Sequence, residues 1–314
     1  MKLSIVSTMY RSSPYLAEFS TRIAHAAEQI TNDYELIFVN DGSPDDSLAV
    51  ALQLQVENPK IQIVDLSRNF GHHAAIVAGI EYAQGDYVFL IDCDLEEQPE
   101  WLSLFERQIE LSNADVVFGV QQTRVASKTS NFLGSLFWKS LNVMSNVKIP
   151  HNPMTCRLMK RDYVDALLSV GDRVLYLAGV FAWTGFKQQS LYLIKTPRPS
   201  QHKSTYNLSR RLLQAADSFS SFSVAPLSLI FMMGSFIWFA SIFYGIYLLA
   251  QKILKPEMVV SGFTSMMLSI WFLSGFIIIA LGIIGLYIAK IFQEVKRRPL
   301  FITRKIYKGN EHEC

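Results

Sequence analysis

The last third of the chain carries the pattern that most limits how it can fold. Pro226 to Ala250 contains no charged residue, and neither does Met258 to Ala289. Each run exceeds the roughly 20 residues that a helix needs to cross hydrocarbon. A buried hairpin in a soluble core is the competing reading, but core helices rarely go so far without a charge. Two transmembrane helices are therefore expected within an anchor spanning 226–292. Lys252, Lys255 and Glu257 lie between the runs. Lys195, Arg198, Lys203, Arg210 and Arg211 precede the pair, and Lys290, Lys296, Arg297, Arg298, Arg304, Lys305 and Lys308 follow it. Basic residues on both outer flanks place the preceding domain, 1–212, and the basic tail, 293–314, on the cytoplasmic side.

Half of the 314 residues are hydrophobic, and the excess is concentrated after Pro226. The net charge of +2 gives no global field for a nucleic-acid partner, and none is expected. Cys93, Cys156 and Cys314 are spaced neither as a zinc site nor as a disulfide framework, which fits a reducing compartment. The short mixed run Leu3 to Met9, followed by Arg11, is not a signal-peptide pattern.

The first 120 residues alternate between two periods. Leu3–Ser7, Glu35–Val39, Ile61–Leu66, Tyr87–Ile91 and Val116–Val120 read as strands. Tyr15–Ile30, a segment opening at Ser43, His72–Ala83 and Pro99–Leu111 read as helices, with Ser43 as N-cap and Pro44 at the first helical position. Strand and helix in alternation imply an α/β fold with a mostly parallel sheet covered on both faces. Ligands of such sheets sit beyond the carboxyl ends of the strands, so residues just after each strand are the candidates. Residues 121–212 are less regular. Asn131–Val143 has helical spacing and is compatible with either a core position or a membrane surface, and 213–225 reads as a juxtamembrane amphipathic helix.

Three segments after strands carry chemistry. Asp92-Cys93-Asp94 follows the fourth strand. Side chains alternate along a strand, so both carboxylates are expected to point one way, and a hard cation such as Mg²⁺ or Mn²⁺ would relieve their repulsion. A solvated turn is the alternative. Asn40-Asp41-Gly42-Ser43-Pro44 follows the second strand and offers Asp41 to a base or ribose, or serves helix capping alone. Ser67-Arg68-Asn69-Phe70-Gly71-His72-His73 follows the third, where Arg68 can hold a phosphate or a carboxylate.

In order, the stretches Ile37–Ser43, Leu66–His72, Ile91–Leu95 with Gln98-Pro99-Glu100, Lys203–Tyr206 and Glu294–Pro299 resemble the family-2 glycosyltransferases. Within them they are similar to the dolichol-phosphate-mannose-synthase-like polyprenyl-phosphate glycosyltransferases of bacteria. The resemblance implies a nucleotide-sugar-binding, GT-A-like sheet domain. It implies inverting transfer of a sugar, with uridine as the expected nucleotide, to polyprenyl phosphate such as undecaprenyl phosphate. The product would be a lipid-linked sugar for surface polysaccharide or lipid modification. It further implies a multi-pass protein of the inner membrane with the catalytic domain cytoplasmic. By position, Thr8, Tyr10, Asp41, Arg68, Asp92 and Cys93 would bind the donor, and Asp94, Asp92 and Glu96 the metal. Asp94, Arg157, Lys203 and Ser204 would be catalytic. Membrane lipids are further expected partners; Gly275, Gly282 and Gly285 permit the close helix approach of a homo-oligomer, but lipid packing explains them equally.

Three positions depart from the family pattern. The first strand runs into Ser7-Thr8-Met9-Tyr10-Arg11, the paired acids after the second strand are Asn40-Asp41, and Thr155 stands where an acid usually precedes the arginine aligned with Arg157. A sugar-hydroxyl acceptor would need a general base, whereas a lipid phosphate, with a second pKa of roughly 6, is already an anion at neutral pH. The alternatives are a glycolipid or lipid-linked oligosaccharide acceptor, with Glu97 or another acid as base, and a non-catalytic membrane protein that binds nucleotide sugars. A dinucleotide-dependent oxidoreductase is disfavoured, because the Gly-x-Gly-x-x-Gly turn it needs after the first strand is replaced by Ser7-Thr8-Met9-Tyr10-Arg11-Ser12-Ser13.

Overall fold

The structure is a computed structural model that describes residues 1–122, 152–172, 177–195, 225–254 and 262–309. Among these, the residues up to 195 together with those from 297 onward form one compact unit, and those from 225 to 296 form another.

In the first unit, β1 (Leu3–Met9), β2 (Tyr34–Asn40), β3 (Ile61–Leu66), β4 (Tyr87–Leu90), β5 (Val116–Gln121), β6 (Pro153–Lys160), β7 (Gln188–Leu193) and β8 (Thr303–Tyr307) make one eight-stranded sheet in the order β7-β5-β6-β4-β1-β2-β3-β8. β1 pairs in parallel with β2 and β4, β2 with β3, and β5 with β7. β6 and β8 run antiparallel to their neighbours. The sheet is thus mostly parallel, as expected, and six strands end at one edge, where β6 and β8 begin. β1 and β2 are buried along nearly their whole length, which is why they read as continuous apolar runs rather than as alternation.

The helices α1 (Leu16–Glu28), α2 (Ser47–Glu57), α3 (His72–Tyr82), α4 (Trp101–Ser112), α5 (Arg161–Val170) and α6 (Leu177–Trp183) complete the unit. α1 buries Leu16, Phe19, Ile23, Ala26 and Ala27, the stripe its spacing predicts. α4 buries Leu102, Phe105 and Ile109 and sets Phe105 edge-on against Phe89, with centroids 5.4 Å apart. α3 is small-residue-rich because it lies close on the sheet: a Cβ on Gly79 would overlap the side chains of Val6 and Val39.

One local expectation is corrected. α2 does not start at Ser43-Pro44. Asp45 takes over the turn: its carboxylate accepts from the Ser47 N–H at 3.2 Å, the Ser47 hydroxyl at 2.6 Å, the Ser43 hydroxyl at 2.5 Å and the Ser13 N–H at 3.2 Å. A carboxylate outcompetes a serine hydroxyl as acceptor, so the helix opens only at Ser47. The basic tail contributes a strand to the sheet. Its residues Thr303–Tyr307 return as β8, antiparallel to β3, with Gln55 Nε2 donating to the Tyr307 carbonyl at 2.8 Å.

The second unit holds α7 (Ala225–Leu254) and α8 (Phe263–Val295). Among the described residues one segment, the 24 residues Phe272–Val295 of α8, is long and apolar enough to cross a membrane. The amphipathic helix expected at 213–225 and the helix expected at Asn131–Val143 lie outside the described residues, save Ala225, which opens α7.

Candidate active site

The carboxyl ends of β1 to β4 and of β7 bring the expected segments to one edge. β4 ends at Leu90, and the Ile91 N–H still donates to the Val6 carbonyl at 3.1 Å. Beyond it the chain turns, with Leu95 at φ 60°. Asp92, Cys93 and Asp94 therefore sit in a turn, and strand alternation does not aim them. Instead, Asp94 Oδ1 accepts from the Glu96 N–H at 3.1 Å, and the thiol of Cys93 donates to the Thr8 carbonyl at 3.1 Å. Cys93 is buried, which pushes its thiol up to about 12, so it packs as a neutral apolar group beneath the turn.

Asp92 is half-buried, and burial followed by the charge of Asp94 raises its carboxyl above the ordinary range. His72 Nε2 lies 3.7 Å from Asp92 Oδ1, and His72 Nδ1 is 3.1 Å from the Thr8 hydroxyl. Thr8 thus joins β1 to the turn after β4 through the first residue of α3. Glu97 is fully buried. One of its oxygens accepts from the Thr155 N–H at 3.3 Å and lies 3.2 Å from Lys195 Nζ; the other accepts from the Asp92 N–H at 3.4 Å. Burial, then the charge of Asp92, pushes its carboxyl up to about 7. Lys195 also lies 3.8 Å from Glu96, and its acidic neighbours outweigh burial and raise its pKa.

On the other side of the site, Asp41 is buried and accepts from the N–H groups of Phe70 at 2.7 Å and Gly71 at 3.0 Å. It therefore braces the loop after β3. Gly42, at φ 59°, lets the two loops touch: a Cβ there would lie 2.5 Å from Arg68 C and Asn69 N. Arg68 donates to the Asn69 carbonyl at 2.9 Å and stacks on Phe70 with its guanidinium 4.0 Å from the ring centroid. Tyr10 is exposed at the mouth of β1, beside Arg11.

Arg157 is also placed. It is only 4% exposed, lies 3.4 Å over the Phe181 ring, and donates to the carbonyls of Met154 and Thr155, each at 3.2 Å. It thereby shapes the start of β6, where Thr155 stands. Lys203 and Ser204 lie outside the described residues.

The structure thus gathers Thr8, Asp92, Asp94 and Glu96 at one turn, with Asp41 and Arg68 on the adjoining loops. It adds Lys195, and it gives Glu97, expected only as the base for an alternative acceptor, a fully buried place beside Lys195. In the sequence Lys195 stands only as a flanking positive charge, because β7 has no clear strand pattern; its place just past that strand's end is the signal that could find it.

The chemistry of the set suits a divalent cation held jointly with a diphosphate. Its donors are hard carboxylate oxygens, and burial, then the charge of neighbouring acids, raises the carboxyls of Asp92 and Glu97 above the ordinary range. Among the described residues no three such side chains form a closed cage. Magnesium-type sites commonly use one or two carboxylates and take remaining ligands from substrate phosphates.

Residues 4–168 match the model of glycosyl transferase family 2, and the chain belongs to that family. An uncharacterized glycosyltransferase of Synechocystis sp. is 35% identical over 309 residues, 98% of this chain and 96% of that protein. A prophage-derived bactoprenol glucosyl transferase of Shigella flexneri is 29% identical over 311 residues, 99% of this chain and 100% of that one. Among solved structures, a mannosyltransferase from Pyrobaculum calidifontis in complex with GDP-Man and Mn²⁺ aligns over 94% of this chain and 87% of its own, with 13% identity and a TM-score of 0.49.

Proposed function

We propose that this chain transfers a sugar from a nucleotide sugar, with uridine the expected base, to polyprenyl phosphate at the cytoplasmic face of the inner membrane. The observation that carries this reading is the likeness to bactoprenol glucosyl transferase over the whole of both chains, apolar C-terminal part included, rather than over the sheet domain alone. The exposed apolar side chains support two spans: Phe231, Phe236 and Phe243 on α7 and Ile278, Leu281 and Phe292 on α8 would face water without a bilayer.

The donor lies across the strand ends. Asp41 and Arg68 present the two loops to its nucleotide, and Thr8 and Tyr10 border the same crevice. Asp94, with Asp92 and Glu96, would hold Mg²⁺ or Mn²⁺, which supplies charge neutralisation to the departing diphosphate. Lys195 adds a positive charge beside these acids. The acceptor phosphate attacks the anomeric carbon from the opposite face, breaking the bond to the diphosphate and inverting the centre. Being already ionised, it needs positioning more than a base, which fits Thr155 at the position where the family has an acid. Lys203 and Ser204 are proposed to position that phosphate. Replacing Asp94 with Ala should reduce transfer by about a thousandfold or more with donor present at saturation. Full activity in that variant would remove the metal-centred site from the account.

One observation favours a second reading, a sugar-hydroxyl acceptor. Glu97 is a buried carboxyl with its pKa raised into the neutral range and its oxygen beside Thr155, suited to a general base. Transfer to a glycolipid with none to a lipid phosphate would select it.

A further inference from the structure

β8 meets β3 with an irregular register: Asp65 pairs with Lys305 but Leu66 with Thr303, so Arg304 is the extra residue of a bulge. Bulges re-aim side chains. Here the guanidinium of Arg304 donates to the Ser67 carbonyl at 2.6 Å and lies 3.6 Å from Asp65 Oδ2. Asp65 is buried, and its other oxygen accepts from Asn40 Nδ2 at 2.7 Å. Asn40 Oδ1 in turn accepts from the Ser43 N–H at 3.1 Å. The Ser67 N–H donates to the Ile302 carbonyl at 2.8 Å, and the Tyr82 hydroxyl is 3.2 Å from that of Thr303. One tail arginine is therefore tied to the roots of both loops, 40–43 through Asp65 and Asn40, and 67–71 through Ser67.

We infer that Arg304 is a positioning residue: a latch from the segment after α8 that fixes the loops carrying Asp41 and Arg68, and so sets donor affinity. The structural half rests on the contacts alone, while the donor half rests on the function proposed above. Arg304 is largely exposed, with 60% of its side chain accessible, so its contribution to global stability is small. Its effect should be local, in the order of the two loops.

The test uses the full chain in detergent. Amide hydrogen exchange is followed by mass spectrometry in wild type, Arg304→Ala and Arg304→Lys. Donor and acceptor KM and kcat are measured on the same samples. In Arg304→Ala, exchange over 67–71 should rise about tenfold with β1 and β4 unchanged. Donor KM should rise about fivefold with kcat and acceptor KM within about twofold, and Arg304→Lys should partly restore both. Unchanged exchange over 67–71 would overturn the latch, as would an equal rise across β1 and β4. Faster loop exchange with an unchanged donor KM would overturn its role in donor affinity. A wild type that transfers no sugar would sink the functional reading, while the exchange data would still decide the latch.

Discussion

Glu97 is the residue whose environment is least compatible with a free carboxylate. It is fully buried, faces the charge of Asp92, and has Lys195 as its cationic partner at 3.2 Å. Its pKa is raised in the fold, so the native protein holds a proton there that the unfolded chain has released. Stability from that proton is complete below the ordinary carboxyl range, near 4, and is lost as pH rises through about 7. Metal-free protein should therefore melt at a lower temperature at pH 8 than at pH 5.5. Glu97→Gln, which keeps an acceptor for the Thr155 N–H, should remove roughly half of that difference. Thermal melts across this range check it, and an unchanged pH slope in the variant would contradict it. At this scale the sequence showed Asp41, Asp92 and Asp94, because each follows an unmistakable apolar strand. It offered Glu97 only as a base for another acceptor, without its burial, and it hid Lys195, because burial of an acid and the end of a weakly patterned strand are consequences of packing.

The elements meet at loops whose spacing is set by small residues, and Gly42 is the tightest of them. An alanine there would hold φ near 59° and press its Cβ against the backbone of Arg68 and Asn69. The left-handed backbone costs about 1–2 kcal/mol, and the overlap adds a comparable amount. A loss of about 3 kcal/mol corresponds to a thermal midpoint lower by about 6–12 °C for a unit of this size. A midpoint unchanged in Gly42→Ala would show that the two loops do not touch as described. β1 to β5 were legible because parallel strands buried on both faces are runs of apolar residues. β6, β7 and β8 were not, since their pairing is non-local: β6 inserts antiparallel between β4 and β5, and β8 comes from beyond α8. The start of α2 was misplaced for a different reason, since Ser43 and Asp45 are both good turn acceptors and only the folded turn decides between them.

For the molecule as a whole, the α/β class and the apolar C-terminal part follow directly from periodicity and from the missing charges. The tail's return to the sheet edge does not, because a short strand rich in basic residues looks like any solvated terminus. The central claim is that the sheet domain passes a sugar to a lipid phosphate. Its most direct measurement is a transfer assay with full-length protein in detergent, Mg²⁺ or Mn²⁺, a panel of radiolabelled UDP-sugars and undecaprenyl phosphate. The account predicts label moving into the organic phase with one donor, and its loss on chelation. Donor binding with no label reaching this acceptor would contradict it.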